Sequence, residues 1–465
     1  MSQASTLTQL HIGLGSFHRA HQAVYMQNLH EQGDTRWQII GGNIRPDMLD
    51  TVAALKSQHG AYTLETVSPA GEHVYQYIEC IKQIVDYDPQ LEGLTAVAVD
   101  PNTRIISFTV TEAGYYLDAN NDLDETFADL RSDLSGKTCS TLYGAMALLL
   151  EARRQLDAGA VTLMNCDNLR SNGTRFYAGF QQFLERQGKT ELLAWVRANT
   201  RAPNGMVDRI TPRPTPDVRE RVLAATGRDD PAALMGESFI QWVLEDDFIA
   251  GRPEWEKAGV EMVEDVTPYE EAKIRLLNAT HSCVAWAGTL RGYYFIHEDC
   301  TDPDVVQLAY DYVTNDAIPC LDTPEHPCPL DLAKYRDVVL ERFANPNIQD
   351  ANPRVVMDTY AKIPSMILPT IRDCLAAGRS AASVSMLPAL FLAFLQRQQR
   401  GEIPYEYHDQ SMTAESARTI CTSDDPVKAY VAERLLFDDI AGDERLLAEM
   451  RGAYERVQQF IEKKR

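Results

Sequence analysis

The chain has 465 residues, 45% of them hydrophobic and 24% charged, with a formal net charge of −23. That length is enough for two domains, each with its own core. The acidic balance excludes nucleic acid and anionic membrane surfaces as natural partners.

In chain order, residues 7–13 read as a buried strand that runs into Gly13-Leu-Gly15-Ser-Phe17-His18-Arg19, followed by a helix over 19–32 closed by Gly33. A strand, a glycine turn and a helix are the context of a pyrophosphate-binding turn. Gly13 permits the sharp bend and Gly15 lets a phosphate approach the backbone. His18 stands where a third glycine is usual, and Phe17 and Arg19 are grouped with the turn as cofactor-binding candidates. A second strand over 37–44 leads to Arg45-Pro-Asp47. A carboxylate there suits the ribose hydroxyls of NAD, although Asp47 lies 32 positions beyond Gly15 rather than about 20. Arg45 beside it would suit a 2′-phosphate.

The run 103–111 is a third strand, closed by Thr109, Thr111 and Glu112. A helix over 142–156 feeds a strand over 161–165, after which come Asp167 and Asn168. Further strands are expected over 206–210, which contains Asp208, and over 260–266. Such alternation predicts a mainly parallel sheet with helices on both faces. The polar groups gather at the C-terminal ends of strands, where open α/β sheets bind ligands. From residue 267 onward the pattern is helical, with amphipathic stretches at 268–291, 303–315, 331–344, 355–378, 383–399, 413–420, 425–438 and 442–463. The expected architecture is α/β: a Rossmann-type NAD-binding domain over 1–267 and a mostly α-helical substrate-binding and catalytic domain over 268–465.

The second domain opens with Thr267-Pro-Tyr-Glu270, which has the form of a capping box. An α-helix advances about 100° per residue, which puts Asn278, His281 and Glu270 about 140°, 80° and 60° from Lys273. An amine, an amide, an imidazole and a carboxylate thus share one side of an otherwise apolar helix. A lysine held in such a setting can have its pKa lowered enough to act as a general base.

Nine cysteines without a CxxC pair suggest neither a disulfide framework nor a zinc site. His18, His21, His281 and His297 complete no four-coordinate spacing, so no catalytic metal is expected. No basic-then-apolar signal opens the chain. The longest apolar run, 384–395, contains Pro388 and is too short to span a bilayer. A cytoplasmic protein is the expectation.

The segments GLGSFHRAH (13–21), TVTEAGYY (109–116), NCDNLRSNG (165–173), MVDRITPRP (206–214) and KIRLLNATHS (273–282) together resemble the polyol-specific long-chain dehydrogenases, the mannitol dehydrogenase family. The resemblance covers nearly the whole chain. It implies metal-independent, NAD-dependent interconversion of a polyol and a ketose by a monomer. Lys273 then corresponds to the general base, and Asn168 and Asn278 to an amide pair facing the developing alkoxide. His281, Asp208 and Arg372 correspond to groups that hold the substrate, and Glu270 and Glu112 to carboxylates associated with proton movement. A hexuronate substrate would call for a further cation, and none besides Arg372 is evident. A non-catalytic nucleotide-binding regulator is the alternative from another class, but it would have no need of a base and oxyanion donors.

Overall fold

Alternating apolar residues account for the two-sided burial of the central sheet. Side chains project to opposite faces along a strand. Ile39, Ile105 and Met164 therefore enter one core and Ile40, Ile106 and Leu163 the other. The computed structural model describes residues 5–463, except Ala119 and the side chains of Glu112 and Ala113. The chain divides into two compact units, Met1–Val67 with Glu72–Thr267, and Ser68–Gly71 with Pro268–Arg465.

The first unit carries a six-stranded sheet ordered Ile81–Ile84, Trp37–Gly42, Leu7–Ile12, Thr103–Phe108, Val161–Asn165, Thr200–Arg201. Every neighbouring pair is parallel. Counted in chain order within the sheet, this is 3-2-1-4-5-6, the doubly wound order of dinucleotide-binding folds. The order reverses between Leu7–Ile12 and Thr103–Phe108, so the loops after those strands flank the crevice at the switch point. Two small sheets complete the unit. One joins Tyr62–Val67 to His73–Ile78 and Leu234–Glu237, and the other joins Gln241–Glu245 to Gly205–Asp208 and Glu261–Val263. The strands Tyr62–Val67, His73–Ile78 and Leu234–Glu237 were not among the expected elements.

The expected single helix over 19–32 is two helices, Ser16–Ala20 and Gln22–Glu31. They break at His21 (φ −125°, ψ −88°), whose Nε2 lies 2.8 Å from the carbonyl oxygen of Gln241.

The second unit is built around one apolar cluster. Helix Ala279–Arg291 contributes Cys283, Val284 and Trp286 to it, and helix Met386–Gln399 buries every residue from Met386 to Leu395. A helix that is apolar on all sides belongs at the centre of a core. Pro388 sits in its first turn, where a missing N–H costs little. The expected stretch 355–378 is interrupted, as Thr359–Lys362, a π-helical turn Ile363–Ile367, and Leu368–Ala376. No helix among the described residues is long and apolar enough to cross a membrane.

Candidate active site

The glycine turn follows directly from strand Leu7–Ile12. Gly13 has φ +102°, and a Cβ there would lie 3.0 Å from the carbonyl oxygen of Thr109, so a side chain would be strained in conformation and crowded against that carbonyl. The turn is pinned by Gly13 N–H to Gly42 O (2.9 Å), Leu14 N–H to Asn43 Oδ1 (2.9 Å) and Thr109 N–H to Ile12 O (3.2 Å). Below it His11 and His18 stack at 3.4 Å. Burial keeps both neutral, with His11 lowered to about 3.

A cavity of about 550 Å³ opens at this turn. Gly13, Gly15, Asp47 and Thr111 line it, together with Arg45, Thr109, Tyr116 and Asp129. Its place at the switch point, its glycine floor and its carboxylate suit a dinucleotide.

Phe17 and Arg19 lie outside that lining. Phe17 stacks on His21 at 5.0 Å and packs against the core. Arg19 is buried, donates from Nη1 to the carbonyl oxygen of Ala232 (2.6 Å) and lies over the ring of Tyr62. Both residues belong to helix Ser16–Ala20, which begins at the turn.

Arg45 is not a free cation. It donates from Nη2 to Asp129 Oδ2 (2.8 Å) and the Tyr116 hydroxyl (2.6 Å), and from Nε to the Ser140 carbonyl oxygen (2.8 Å). The Tyr116 hydroxyl in turn donates to Asp129 (2.6 Å). Asp129 was missed from the sequence because it sits 84 positions from Arg45, in the first turn of helix Ala128–Leu134, with no local motif.

Farther along the sheet, Asn168 lies exposed on the bend after Val161–Asn165. The strand end is fixed by a buried network. Asn165 Nδ2 donates to the Tyr115 hydroxyl (2.5 Å), which donates to Asp167 Oδ2 (2.6 Å). Asn172 Nδ2 donates to the Gly205 carbonyl oxygen (2.9 Å), and its Oδ1 accepts from Gly205 N–H (3.0 Å), tying this loop to strand Gly205–Asp208. Asp208 ends that strand, buried and opposite Gln241. Glu112 opens the 3-10 turn Glu112–Tyr115, and its side chain lies outside the described residues.

In the second unit Glu270 and Lys273 are both buried, at 4% and 7% exposure. The regular 100° spacing does not hold here: Thr267–Ala272 is α-helical, Lys273–Asn278 is a π-helix, and α-helix resumes at Ala279–Arg291. A π-turn closes i→i+5 bonds, so Lys273 and Asn278, five positions apart, stand closer to one face than an α-helix would place them. The wider turn is held from outside. Tyr312 donates to the Arg275 carbonyl oxygen (2.7 Å), and the Arg275 guanidinium reaches Glu271 (3.0 Å) and Asp373 (2.5 Å).

His281 stacks on Phe343 (4.6 Å), with Nε2 3.1 Å from Asp350 Oδ2. Burial lowers its pKa although Asp350 opposes that. Asp350 is pushed up by burial, yet its bonds to His281 and Arg354 prevail and hold it below the usual carboxylate range. Arg372 Nη2 is held by Asp438 (2.7 Å) and Asp439, whereas its Nε–H is buried without a partner. Arg372 therefore offers a donor rather than an uncompensated charge. Among the described residues no group of three or more His, Cys, Asp or Glu could hold a metal ion.

Two family models match in tandem, the mannitol dehydrogenase Rossmann domain over 8–257 and the mannitol dehydrogenase C-terminal domain over 265–458. The chain belongs to the mannitol dehydrogenase family. This places it among the polyol dehydrogenases, which are oxidoreductases. Within the family it is 54% identical to a D-arabinitol 4-dehydrogenase of Ralstonia nicotianae, covering 97% of this chain and 96% of that one. It is 49% identical to a D-arabinitol 4-dehydrogenase of Klebsiella pneumoniae, covering 96% of each. Among solved structures it is similar to Pseudomonas fluorescens mannitol 2-dehydrogenase in ternary complex with NAD and D-mannitol. That match has a TM-score of 0.82 and 31% identity, covering 98% of this chain and 94% of that one.

Proposed function

We propose that this mannitol dehydrogenase family member is an NAD-dependent, metal-independent dehydrogenase that oxidises a secondary hydroxyl of D-arabinitol to give D-xylulose, reversibly. The observation that carries the substrate is the gap in identity. The chain is 54% and 49% identical to the two D-arabinitol 4-dehydrogenases but 31% identical to the mannitol 2-dehydrogenase. Arg372 also supports an uncharged polyol over a hexuronate, since two aspartates already neutralise it.

NAD over NADP is supported by Asp47 in the cavity lining and by Arg45 being tied to Asp129. Gly13, Gly15, Asp47 and Thr111 would hold NAD, which would supply the hydride acceptor for the carbinol carbon. Lys273 takes the hydroxyl proton as that hydride leaves. Asn168 and Asn278 donate amide N–H groups to the oxygen as it gains alkoxide character, a neutral counterpart of an oxyanion hole. His281 and Asp208 hold neighbouring hydroxyls, and Arg372 donates from Nε. Glu270 and Glu112 carry the proton onward from Lys273. The proposal includes a monomer acting in the cytoplasm on dissolved polyol and ketose. The net charge of −23 supports small-molecule rather than nucleic-acid or membrane partners.

Initial rates on D-arabinitol, D-mannitol, xylitol, ribitol and D-sorbitol, each with NAD and with NADP, test this reading. The expected outcome is the highest kcat/KM for D-arabinitol with NAD. A preference for D-mannitol would remove the pentitol assignment and leave the mechanism standing.

A further inference from the structure

Helix Leu368–Ala376 ends in a Schellman turn. Gly378 N–H bonds to the Leu375 carbonyl oxygen (3.1 Å) and Arg379 N–H to the Cys374 carbonyl oxygen (2.9 Å), with Gly378 at φ +64°. The turn folds Arg379 back beside its own helix, where Nη2 donates to the Sγ of Cys320 (2.9 Å), a residue of helix Ile318–Leu321. Cys374, buried inside the same helix, brings its Sγ to 3.6 Å from that of Cys320. Cys320 itself is partly exposed. Two thiols at this range, one reachable from solvent and facing a fixed guanidinium, have the arrangement of an attacking and a resolving cysteine.

We propose that Cys320 and Cys374 form a peroxide-oxidisable dithiol that reversibly slows the enzyme, with Arg379 activating Cys320. The hydrogen bond from Cys374 and then the Arg379 charge outweigh burial and hold the Cys320 thiol below its ordinary value. Cys374, as the donor and buried, is held above it. In the first step the Cys320 thiolate attacks one oxygen of a hydroperoxide. An S–O bond forms, the O–O bond breaks, the sulfur gives up two electrons, and the departing alkoxide or hydroxide takes a proton from water. In the second step Cys374 attacks the sulfenic sulfur. The S–S bond forms as the S–O bond breaks, and the hydroxyl leaves as water with the Cys374 proton.

Closing the bridge shortens the sulfur separation from 3.6 Å to about 2.05 Å. Helix Leu368–Ala376 must then move relative to Ile318–Leu321. The moving helix carries Arg372 and also Asp373, the partner of Arg275 in the π-turn that bears Lys273. Displacements of about 1 Å can lower turnover by two orders of magnitude. The effect on turnover rests on the roles proposed above for Lys273 and Arg372, but the chemistry of the thiols does not.

The test is peptide mapping of the whole native protein after one equivalent of hydrogen peroxide and alkylation, with turnover measured in parallel. The expected result is a Cys320–Cys374 cross-linked peptide, turnover lowered at least several-fold, and recovery of both with dithiothreitol. Cys374→Ser should stop at a sulfenic acid on Cys320 that dimedone captures. Arg379→Gln should slow the oxidation about tenfold. Oxidation spread over the other cysteines, or an unchanged oxidation rate in Arg379→Gln, would overturn the site. A bridge that forms with turnover unchanged would overturn its link to activity.

Discussion

The two units place their functional groups by different means. In the sheet unit the backbone does the placing. Gly13 and Thr109 meet because their strands are hydrogen-bonded neighbours, and Asp208 faces Gln241 by register. In the helical unit the backbone departs from regularity where the chemistry is proposed, in the π-turn Lys273–Asn278, and side chains such as Tyr312 and Arg275 hold that departure in place. Two further π-turns, Val313–Ala317 and Ile363–Ile367, lie in the same unit. A parallel sheet fixes the direction of each strand end cheaply, whereas a helix must be locally rewound and pinned before five-apart residues align.

On this contrast, damage to the π-turn that bears Lys273 should appear in the chemical step, and damage to the glycine turn in cofactor binding. Lys273→Ala should give the largest effect, lowering kcat by about 10²–10⁴-fold, the usual contribution of a positioned base. Its NAD dissociation constant, measured by fluorescence titration, should stay near that of the native protein. A weakened Kd with unchanged kcat would reverse the division of labour. Gly13→Ala should do the opposite, raising the NAD Kd by about tenfold or more. Its methyl would lie 3.0 Å from the Thr109 carbonyl oxygen, at a φ of +102° that L-residues avoid.

A finer test of the sheet side is Asp129→Asn, which removes the carboxylate neutralising Arg45. The ratio of kcat/KM with NADP to that with NAD should rise about tenfold, roughly the value of one exposed charge contact with the 2′-phosphate. A wild type that prefers NADP would instead contradict the cofactor assignment itself. The smallest expected effect is on stability alone. Burial, opposed by the hydrogen bond from Asn352, raises Asp299 from 3.8 to about 8. Between those values the folded state keeps a proton that the unfolded state releases. The stabilisation is therefore complete below about pH 4 and lost as pH rises towards 8. Asp299→Asn, neutral throughout, should narrow the difference in Tm between pH 5 and pH 8, with activity little changed.

Much of the sheet unit was legible in the sequence, because a buried strand leaves a period-2 or wholly apolar run and a glycine turn leaves its own mark. Leu7–Ile12, Trp37–Gly42, Thr103–Phe108 and Val161–Asn165 lie within or match the expected strands. Arg19 marks the limit of such signals: its bond to the distant carbonyl of Ala232 leaves no trace in the sequence. The π-turn was invisible, since Lys-Ile-Arg-Leu-Leu-Asn has good helix-forming composition and its widening depends on Tyr312, 37 positions away from Arg275. Asp350 against His281 and Asp129 against Arg45 were invisible for the same reason.

The sequence by itself determined the fold class and the family, because hydrophobic periodicity and the spacing of short motifs are local and survive without coordinates. Only the tertiary structure decided which charges are already neutralised, which helix is rewound, and which thiols face each other. Those outcomes depend on residues brought together from distant parts of the chain, and the balance of burial against pairing that sets them has no representation along the sequence.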